Sequence, residues 1–303
     1  QIGGEGVNFK KNLHSVTAGN HKKQVSEFGA AMHRLRKNRM AMSGLVLFCV
    51  LLFLAFLAPW ISPYNYAEIN LADKFALPSS RHLFGCDEFG RDIFSRIIYG
   101  GRYSLTVGLL ATGGSLIIGV IMGSLAGFFG GKMDTAIMRF LDIFQSIPGT
   151  LFTICIAAAL GTGFDKTIMA LAVTRAPGMA RTLRASIMKT RNEEYVEAAC
   201  ATGCGTFRII VRYVLPNSFS PLLVQTTMGV AQTLLAVAAL SYIGLGIQPP
   251  TPEWGAMLSG AKNYIRDYPH MLLFPGLFIA ITVLGLNMFG DGLRDALDPR
   301  LKS

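Results

Sequence analysis

Five long stretches of this chain contain no Asp, Glu, Lys or Arg, and they limit its possible folds more than any other feature. They cover residues 40–67, 103–131, 143–164, 213–252 and 268–290. A helix needs about 20 apolar residues to cross the hydrocarbon core of a bilayer, so each stretch is long enough for one span. Only 15% of all residues are charged, whereas roughly a quarter are charged in soluble domains. The sequence therefore predicts an all-α membrane protein.

A sixth span is predicted at 166–184, although Arg175 and Pro177 lie inside it. With six transmembrane helices and both termini in the cytoplasm, 20 Lys and Arg residues lie on the cytoplasmic side and 8 on the external side. The positive-inside rule requires this asymmetry. We therefore predict a multi-pass protein of the cytoplasmic membrane with cytoplasmic N- and C-termini. The net charge of +10 fits this topology and contact with anionic membrane lipid, so we expect no nucleic acid partner.

Three parts are predicted along the chain. Residues 1–40 form a cytoplasmic tail that ends in a basic amphipathic helix at 25–39. Residues 41–102 contain the first transmembrane helix and an external segment with a short helix at 91–99. Residues 103–303 form the core domain, in which the glycines of the second span predict close helix packing. Asp142 and Pro148 predict a bend near the start of the third span.

A polar hinge at 192–216 separates the fourth and fifth predicted spans. Asn192 is the expected N-cap of its first helix, and Gly203 and Gly205 are expected to adopt positive φ at the turn. A second helix at 206–214 is expected to stop at Pro216. The segment is thus predicted to be a helix-turn-helix on the cytoplasmic face. Its residues alone fit both a docking surface for a soluble partner and a simple surface connector.

Arg175 is the unusual residue of the fourth span. A cation inside a membrane is costly and usually faces a cavity or the interior of the helix bundle. One hypothesis is that Arg175 lines a transport pathway and attracts an anionic group such as a peptide carboxylate. The alternative is an arginine whose long side chain reaches the membrane surface, or one that lies in a vestibule.

Catalytic and metal sites are not predicted. The five cysteines and five histidines form no ligand set and no pairing of nucleophile with base, and His82 and His270 are expected to be ordinary surface residues. The phosphate-binding motif G-x-x-x-x-G-K-[ST] does not occur in the sequence, so the chain is expected not to hydrolyse ATP by itself. We expect no metal and no enzyme activity.

The hinge resembles the cytoplasmic coupling motif of ATP-binding-cassette (ABC) importer permeases. The resemblance lies in Glu197-Ala198-Ala199, in Gly203 and in the later Leu215-Pro216, with Tyr213 where that family usually has Ile. Residues 83–92, 241–255 and 287–300 are similar to sequence blocks of the dipeptide/oligopeptide/nickel permease family, in its C-type subunit. Cys86 stands where these permeases usually have Thr. The resemblance covers about residues 30–303.

This resemblance implies a fold, partners and site residues. The fold would be that of a type I ABC importer permease (MetI-like), with residues 103–303 as the core permease domain. The complex would contain a homologous permease subunit, two ABC ATPases that bind ATP and Mg, and an extracytoplasmic solute-binding protein; this chain itself would hold no cofactor. The implied ATPase-coupling residues are Glu197, Ala198, Ala199, Gly203, Leu215 and Pro216.

An external face for the binding protein is also expected, at Gly90, Arg91, Asp92, Gln248 and Trp254. The alternatives are that Gly90, Arg91 and Asp92 cap the external helix, that Arg91 and Asp92 form a structural ion pair, and that Trp254 anchors the chain at the membrane interface.

The expected function is that of a non-catalytic permease subunit in the cytoplasmic membrane of a bacterium or archaeon. It would move di- or oligopeptides or a similar small solute, with ATP hydrolysis in partner subunits. Import of nickel or metal chelates, or of glutathione, stays open as an alternative within the same family. A stand-alone ion-coupled transporter is the alternative from another class, and it would need acidic residues within the spans and inverted repeats.

Overall fold

The computed structural model describes residues 27–297. In that range all regular elements are helical, and an isolated antiparallel bridge joins Cys86 to Asp92. The α-helices are α1 (Glu27–Lys37), α2 (Arg39–Phe56), α3 (Ala58–Ile61), α4 (Ile93–Phe129), α5 (Gly131–Gln145), α6 (Gly149–Leu160), α7 (Phe164–Thr190), α8 (Glu194–Ala201), α9 (Thr206–Ile209), α10 (Leu215–Ser218), α11 (Ser220–Tyr242), α12 (Trp254–Ala261) and α13 (His270–Leu297). Short 3-10 turns occupy Leu71–Asp73 and Lys262–Tyr264, and a π-helical turn occupies Ile210–Val214. The all-α prediction is confirmed.

Within residues 27–297, four helices are long and apolar enough to cross a membrane, namely α2, α4, α11 and α13. The bent pair formed by α5 and α6 raises this number to five. Helix α7 has 27 residues, which is enough length for a span. It carries too many charged residues to be recognised as a span by hydropathy. The six predicted spans are compatible with this set of helices, although hydropathy alone marks four or five.

The third predicted span is broken, as the sequence indicated. Helices α5 and α6 meet at 85°, and Pro148 stands at the N-cap of α6. A proline has no N–H to continue the helical ladder, and its ring restricts the preceding residue. With 12 residues, α6 is about 18 Å long, which is shorter than the roughly 30 Å hydrocarbon core.

Helix α4 packs along α7 through glycines spaced four residues apart. A Cβ at Gly123 would lie 2.6 Å from the carbonyl oxygen of Ala180, and a Cβ at Gly127 would lie 2.9 Å from the Cβ of Ile187. Gly119, one turn earlier, faces Met179 equally closely. Residues i and i+4 share one face of a helix, so these glycines form a continuous groove in which α7 lies.

The start of α4 corrects the predicted element boundaries. A separate external helix at 91–99 was expected, followed by a span from residue 103. The structure instead has one helix of 37 residues, capped by the Asp92 side chain, which accepts a 2.7 Å hydrogen bond from the Ser95 N–H. Gly100 and Gly101 do not break it, because the ring of Trp254 packs against both.

The N-terminal helices pack against the end of the chain. Helix α1 lies within the range 25–39 where an amphipathic helix was expected, and its buried Leu35 packs against Ala41 of α2 and Ala296 of α13. Helix α2 then begins at the Asn38 cap, whose side chain accepts a 3.1 Å hydrogen bond from the Ala41 N–H. These contacts attach the first span to the last one.

Candidate functional site

Helix α8 carries the three residues Glu197, Ala198 and Ala199, and the structure places them on two different faces. Glu197 and Ala198 are exposed, whereas Ala199 is buried. Ala199 and Val196 belong to a hydrophobic cluster with residues of α7 and α11, among them Leu183 and Leu222. The spacing of three residues between Val196 and Ala199 puts both on the inner face of the helix. Glu197 and Ala198 are therefore available to a partner, and Ala199 is not.

The helix starts one residue later than predicted. Glu193, and not Asn192, is the N-cap of α8, and its side chain makes no capping hydrogen bond. Glu194 and Glu197 lie in the first turn, where negative charge complements the positive end of the helix dipole. The predicted role of the glutamates in the helix dipole explains the helix start. The prediction of Asn192 as the N-cap was wrong.

Gly203 makes the turn that ends α8. Its φ is +76°, its N–H donates to the Cys200 carbonyl at 3.0 Å, and the Cys204 N–H donates to the Ala199 carbonyl at 3.2 Å. This pair of hydrogen bonds defines a Schellman motif, which requires a left-handed residue at the position of Gly203. The prediction of positive φ is confirmed for Gly203. It is wrong for Gly205, whose φ is −63°.

Beyond the turn, the chain stays helical through Pro216 and does not stop there. The Leu215 N–H donates to the Ile210 carbonyl, five residues back, which is the pattern of a π-helical turn. Pro216 has no N–H to give to a carbonyl four residues earlier, and the wider turn accommodates the missing bond. Leu215 packs against the hydrophobic cluster under α8, whereas Pro216 is exposed.

Phe207 is a feature of the hinge that the sequence reasoning missed. It lies in the first turn of α9 and is 79% exposed. A large aromatic side chain in water is informative because most residues of this kind are covered. The sequence signal was a single aromatic residue among glycine, threonine and arginine, four residues after Gly203. We define the coupling surface as Glu197, Ala198, Gly203 and Phe207.

Ion pairs join α5 to the C-terminal half of α7. Arg184 pairs with Asp134 through two nitrogens, and Arg181 pairs with Asp142. Asp142, which the sequence placed beside the predicted bend, thus has a charged partner on α7. At the end of α7, Arg191 Nη1 donates to the carbonyls of Gly127 and Phe128, each at 3.1 Å. The guanidinium thus satisfies two terminal carbonyls of α4, which fixes the hinge to that helix.

At the other end of α4, four of the five residues predicted to face a binding protein are buried. Arg91 is 7% exposed and Asp92 is 3% exposed, and Gly90 is buried as well. Arg91 does not pair with Asp92. Its Nε lies 2.7 Å from Asp87 Oδ2, while Asp92 pairs with His82 Nδ1 at 3.0 Å. The capping alternative is the one that the geometry supports, because Asp92 is the N-cap of α4.

Trp254 is also buried, with 2% of its surface exposed. Its Nε1–H donates to the Ile97 carbonyl at 2.9 Å, and its backbone N–H donates to Ser104 Oγ. Neither a receptor contact nor an interfacial anchor fits such a residue, so both interpretations of Trp254 are corrected. Of the five residues expected on the external face, Gln248 is the exposed one.

Histidines and acidic residues form no metal site in the part of the chain that the structure describes. His82 and His270 were expected at the surface, but they are only 5% and 7% exposed. His82 is held by Asp92, and His270 stands at the start of α13 beside Gly85. Both histidines are packing elements of the external cap, which we define as residues 71–92 and 252–270.

Arg175 lies in the middle of α7, where the structure gives it a polar neighbour on α11. Its Nη2 donates to Gln232 Oε1 at 2.8 Å. It lines a cavity of about 330 Å³ at the bend between α5 and α6. The side chain therefore faces a cavity within the helical part of the molecule.

Two family models match the chain. Residues 117–303 match the inner membrane component of binding-protein-dependent transport systems. Residues 26–78 match the N-terminal transmembrane domain of oligopeptide transport permease C. The chain belongs to the binding-protein-dependent transport permeases. The predicted family resemblance is confirmed, and this permease is a multi-pass subunit of the inner membrane and not an enzyme. Membership of an ABC importer family implies ATPase and binding-protein partners.

Curated relatives resemble the permease over nearly its whole length. It is 44% identical over 279 residues to the dipeptide transport system permease protein DppC of Alkalihalophilus pseudofirmus, covering 92% of each chain. It is 39% identical over 302 residues to the oligopeptide transport system permease protein OppC of Bacillus subtilis, covering 97% of this chain and 99% of the relative.

Solved structures support the fold. An inward-facing form of the MetNI methionine ABC transporter matches with a TM-score of 0.56 at 18% identity, over 68% of this chain and 98% of that one. An amino acid ABC transporter solved with histidines matches with a TM-score of 0.52 at 15% identity, over 65% of this chain and 92% of that one. The predicted type I importer permease fold is confirmed by this likeness.

Proposed function

We propose that the chain is the permease subunit of an ATP-driven importer of di- or oligopeptides. The observation that carries this proposal is the similarity to a dipeptide permease over 92% of both chains, together with that to an oligopeptide permease over almost the full length. Both relatives are named for peptides, which favours peptides over nickel chelates and glutathione. Family membership likewise favours a binding-protein-dependent system over a stand-alone ion-coupled carrier.

The coupling surface is the part of the permease that receives the ATPase. Glu197, Ala198 and Gly203 are exposed and contact it directly, and Phe207 adds an apolar side chain that a groove on the ATPase would cover. Ala199 and Leu215 act differently, because both pack into the cluster beneath α8. They carry a displacement of the hinge to α7 and α11. Pro216 is exposed next to Leu215 and contacts the ATPase at the edge of the coupling surface.

The assembly contains this permease, a homologous permease, two ATPases and an external binding protein. ATP and Mg bind to the ATPases, and both termini of this chain lie in the cytoplasm, on the same side as the coupling surface. The binding protein docks at the exposed external rim that includes Gln248 and Phe89, which border a cavity of about 200 Å³. Gly90, Arg91, Asp92 and Trp254 support that rim from inside.

The function is tested by reconstituting the whole complex in liposomes with ATP inside. Labelled dipeptide, a nickel chelate and glutathione are supplied outside with the binding protein. We expect ATP-dependent uptake of the peptide. Uptake of the nickel chelate or of glutathione in place of the peptide would overturn the substrate assignment, and uptake that persists without the ATPases would overturn the importer.

A charge reversal tests the coupling surface. Glu197→Lys should leave the permease inserted and assembled but abolish the increase in ATP hydrolysis that substrate-loaded binding protein causes. Asp267→Lys is the matched control, because it makes the same charge change at an exposed residue on the predicted external side. Gly203→Asp should uncouple in the same way as Glu197→Lys. Undiminished stimulation in both hinge variants would show that the ATPase docks elsewhere.

A further inference from the structure

A cavity of about 330 Å³ opens where α5 bends into α6. Its walls come from that bend, from the middle of α7 and from Gln225 of α11. Phe144 and Phe152 line one side, with their ring centroids 5.5 Å apart. The volume is at the lower end of the roughly 300–1,000 Å³ of small-molecule sites. The cavity thus combines an aromatic wall with a small number of polar groups.

Helix α11 presents a glycine to the guanidinium of Arg175. A Cβ at Gly229 would lie 3.5 Å from Arg175 Nη2, so the guanidinium passes directly over this position. Gln225 lies four residues before Gly229 and Gln232 lies three residues after it, which places all three on one face of the helix. Gln232 Oε1 accepts from Nη2 at 2.8 Å. Arg175 is therefore held in place by a neutral partner.

Two polar atoms of this cluster are shielded from solvent and have no hydrogen-bond partner among residues 27–297. They are Nε of Arg175, which is a donor, and Oε1 of Gln225, which is an acceptor. A buried polar atom without a partner costs free energy, and a charged donor costs more than a neutral one. The cluster is thus suited to a ligand that supplies both a negatively charged acceptor and an N–H donor.

We propose that this cavity binds the C-terminal end of a peptide during translocation. Once the Arg175 and Gln225 side chains turn these atoms toward the cavity, the terminal carboxylate accepts from Arg175 Nε and the last peptide N–H donates to Gln225 Oε1. A charge-assisted bond of this kind is stronger than a neutral one, and both groups occur in every peptide whatever its side chains. The side chain of the last residue lies against Phe144 and Phe152. This assignment rests on the proposed peptide importer.

A site of this kind would bind peptides without reading their side chains. Gln225, Gln232 and Arg175 recognise groups of the main chain, and the aromatic wall accepts apolar side chains without fixed geometry. An inorganic anion would satisfy Arg175 but would leave Gln225 Oε1 without a donor. A metal ion would be repelled by the guanidinium. The pair of unpartnered atoms therefore selects a carboxylate with a neighbouring N–H.

The experiment compares labelled dialanine with dialanine amide in the assembled, reconstituted complex. Arg175→Lys keeps the charge but removes the Nε–H, and Gln225→Glu keeps the size but adds a carboxylate that competes for Arg175. Val173→Ala, at an exposed position two residues from Arg175, is the matched control. The ratio of acid to amide uptake is measured in each complex. Any preference of the binding protein itself cancels when ratios are compared between variants.

Both cavity variants should lower the acid-to-amide ratio about tenfold or more, since each removes or blocks one charge-assisted hydrogen bond, and Val173→Ala should leave it unchanged. An unchanged ratio in both variants, with dialanine still imported, would overturn the site while leaving the importer standing. Failure of the unmodified complex to import dialanine would overturn the proposed function first. If Arg175→Lys fails to assemble, Gln225→Glu decides the outcome by the same ratio.

Discussion

Substitutions at two glycines of the hinge can separate the effect of backbone conformation on ATPase binding from the effect of an added side chain. Gly203 and Gly205 are both exposed, and a Cβ at either position would have no atom within 4 Å. They differ in φ, which is +76° at Gly203 and −63° at Gly205. An added methyl group therefore changes the strain at one position and not at the other.

The expected magnitudes follow from that difference. A left-handed residue with a Cβ costs roughly 1–2 kcal/mol, so Gly203→Ala should destabilise the Schellman turn by about that amount. Gly205→Ala should be neutral or should stabilise the hinge by up to about 1 kcal/mol, because alanine restricts the unfolded chain. If the ATPase binds only the Schellman conformation of this turn, its apparent Kd for the Gly203→Ala permease rises by at most roughly 5- to 30-fold.

The assay titrates purified ATPase onto the permease pair in lipid nanodiscs and measures the apparent Kd. Gly203→Asn is the third variant, because asparagine tolerates the left-handed region better than alanine does. It should bind the ATPase more tightly than Gly203→Ala despite its larger side chain. Equal weakening by Gly203→Ala and Gly205→Ala, or a poorer affinity for Gly203→Asn than for Gly203→Ala, would refute the conformational argument and assign the effect to a clash with the ATPase.

Three further predictions concern the body of the permease. Gly123→Ala should lower the melting temperature in detergent, with a cost of about 1–3 kcal/mol for overpacking, whereas Gly113→Ala, which has nothing within 4 Å, should not. Trp254→Ala should cost about 3–5 kcal/mol in the same assay, and Trp254→Phe should cost less because most of the ring contact survives. Burial, followed by the charge of nearby carboxylates such as Asp92, raises the pKa of the Cys86 thiol to about 12. Maleimide labelling of folded Cys86 should therefore stay slow up to about pH 9, and stability should fall at higher pH, because the unfolded thiol ionises first.

Much of the fold could be predicted from the sequence because the membrane simplifies the problem. Uncharged runs located the spans, and Pro148 located the bend between α5 and α6, since both effects are local. The glycines of the second span indicated close packing, but the sequence could not say that Gly119, Gly123 and Gly127 face α7. That assignment depends on which helix lies alongside, which no local pattern encodes.

The errors arise from tertiary contacts at some positions and from local backbone geometry at others. Trp254 resembles an interfacial anchor in the sequence, yet the glycine pair at Gly100 and Gly101 leaves room for its ring inside the bundle. Pro216 resembles a helix stop, yet a π-helical turn carries the chain past it. For the coupling motif, the sequence identified the residues but not their exposure. The burial of Ala199 depends on α7 and α11, which lie elsewhere in the chain.

Helix α4 has a mechanical consequence for transport. Its 37 residues make a rod about 55 Å long. Asp92 secures one end to the external cap, and Arg191 grips the carbonyls at the other end, beside the hinge. Gly119, Gly123 and Gly127 hold α7 in close contact with α4, which opposes sliding of one helix along the other. If the hinge lies on the cytoplasmic side, as proposed, a displacement of the hinge would reach the external cap through a tilt of this single helix.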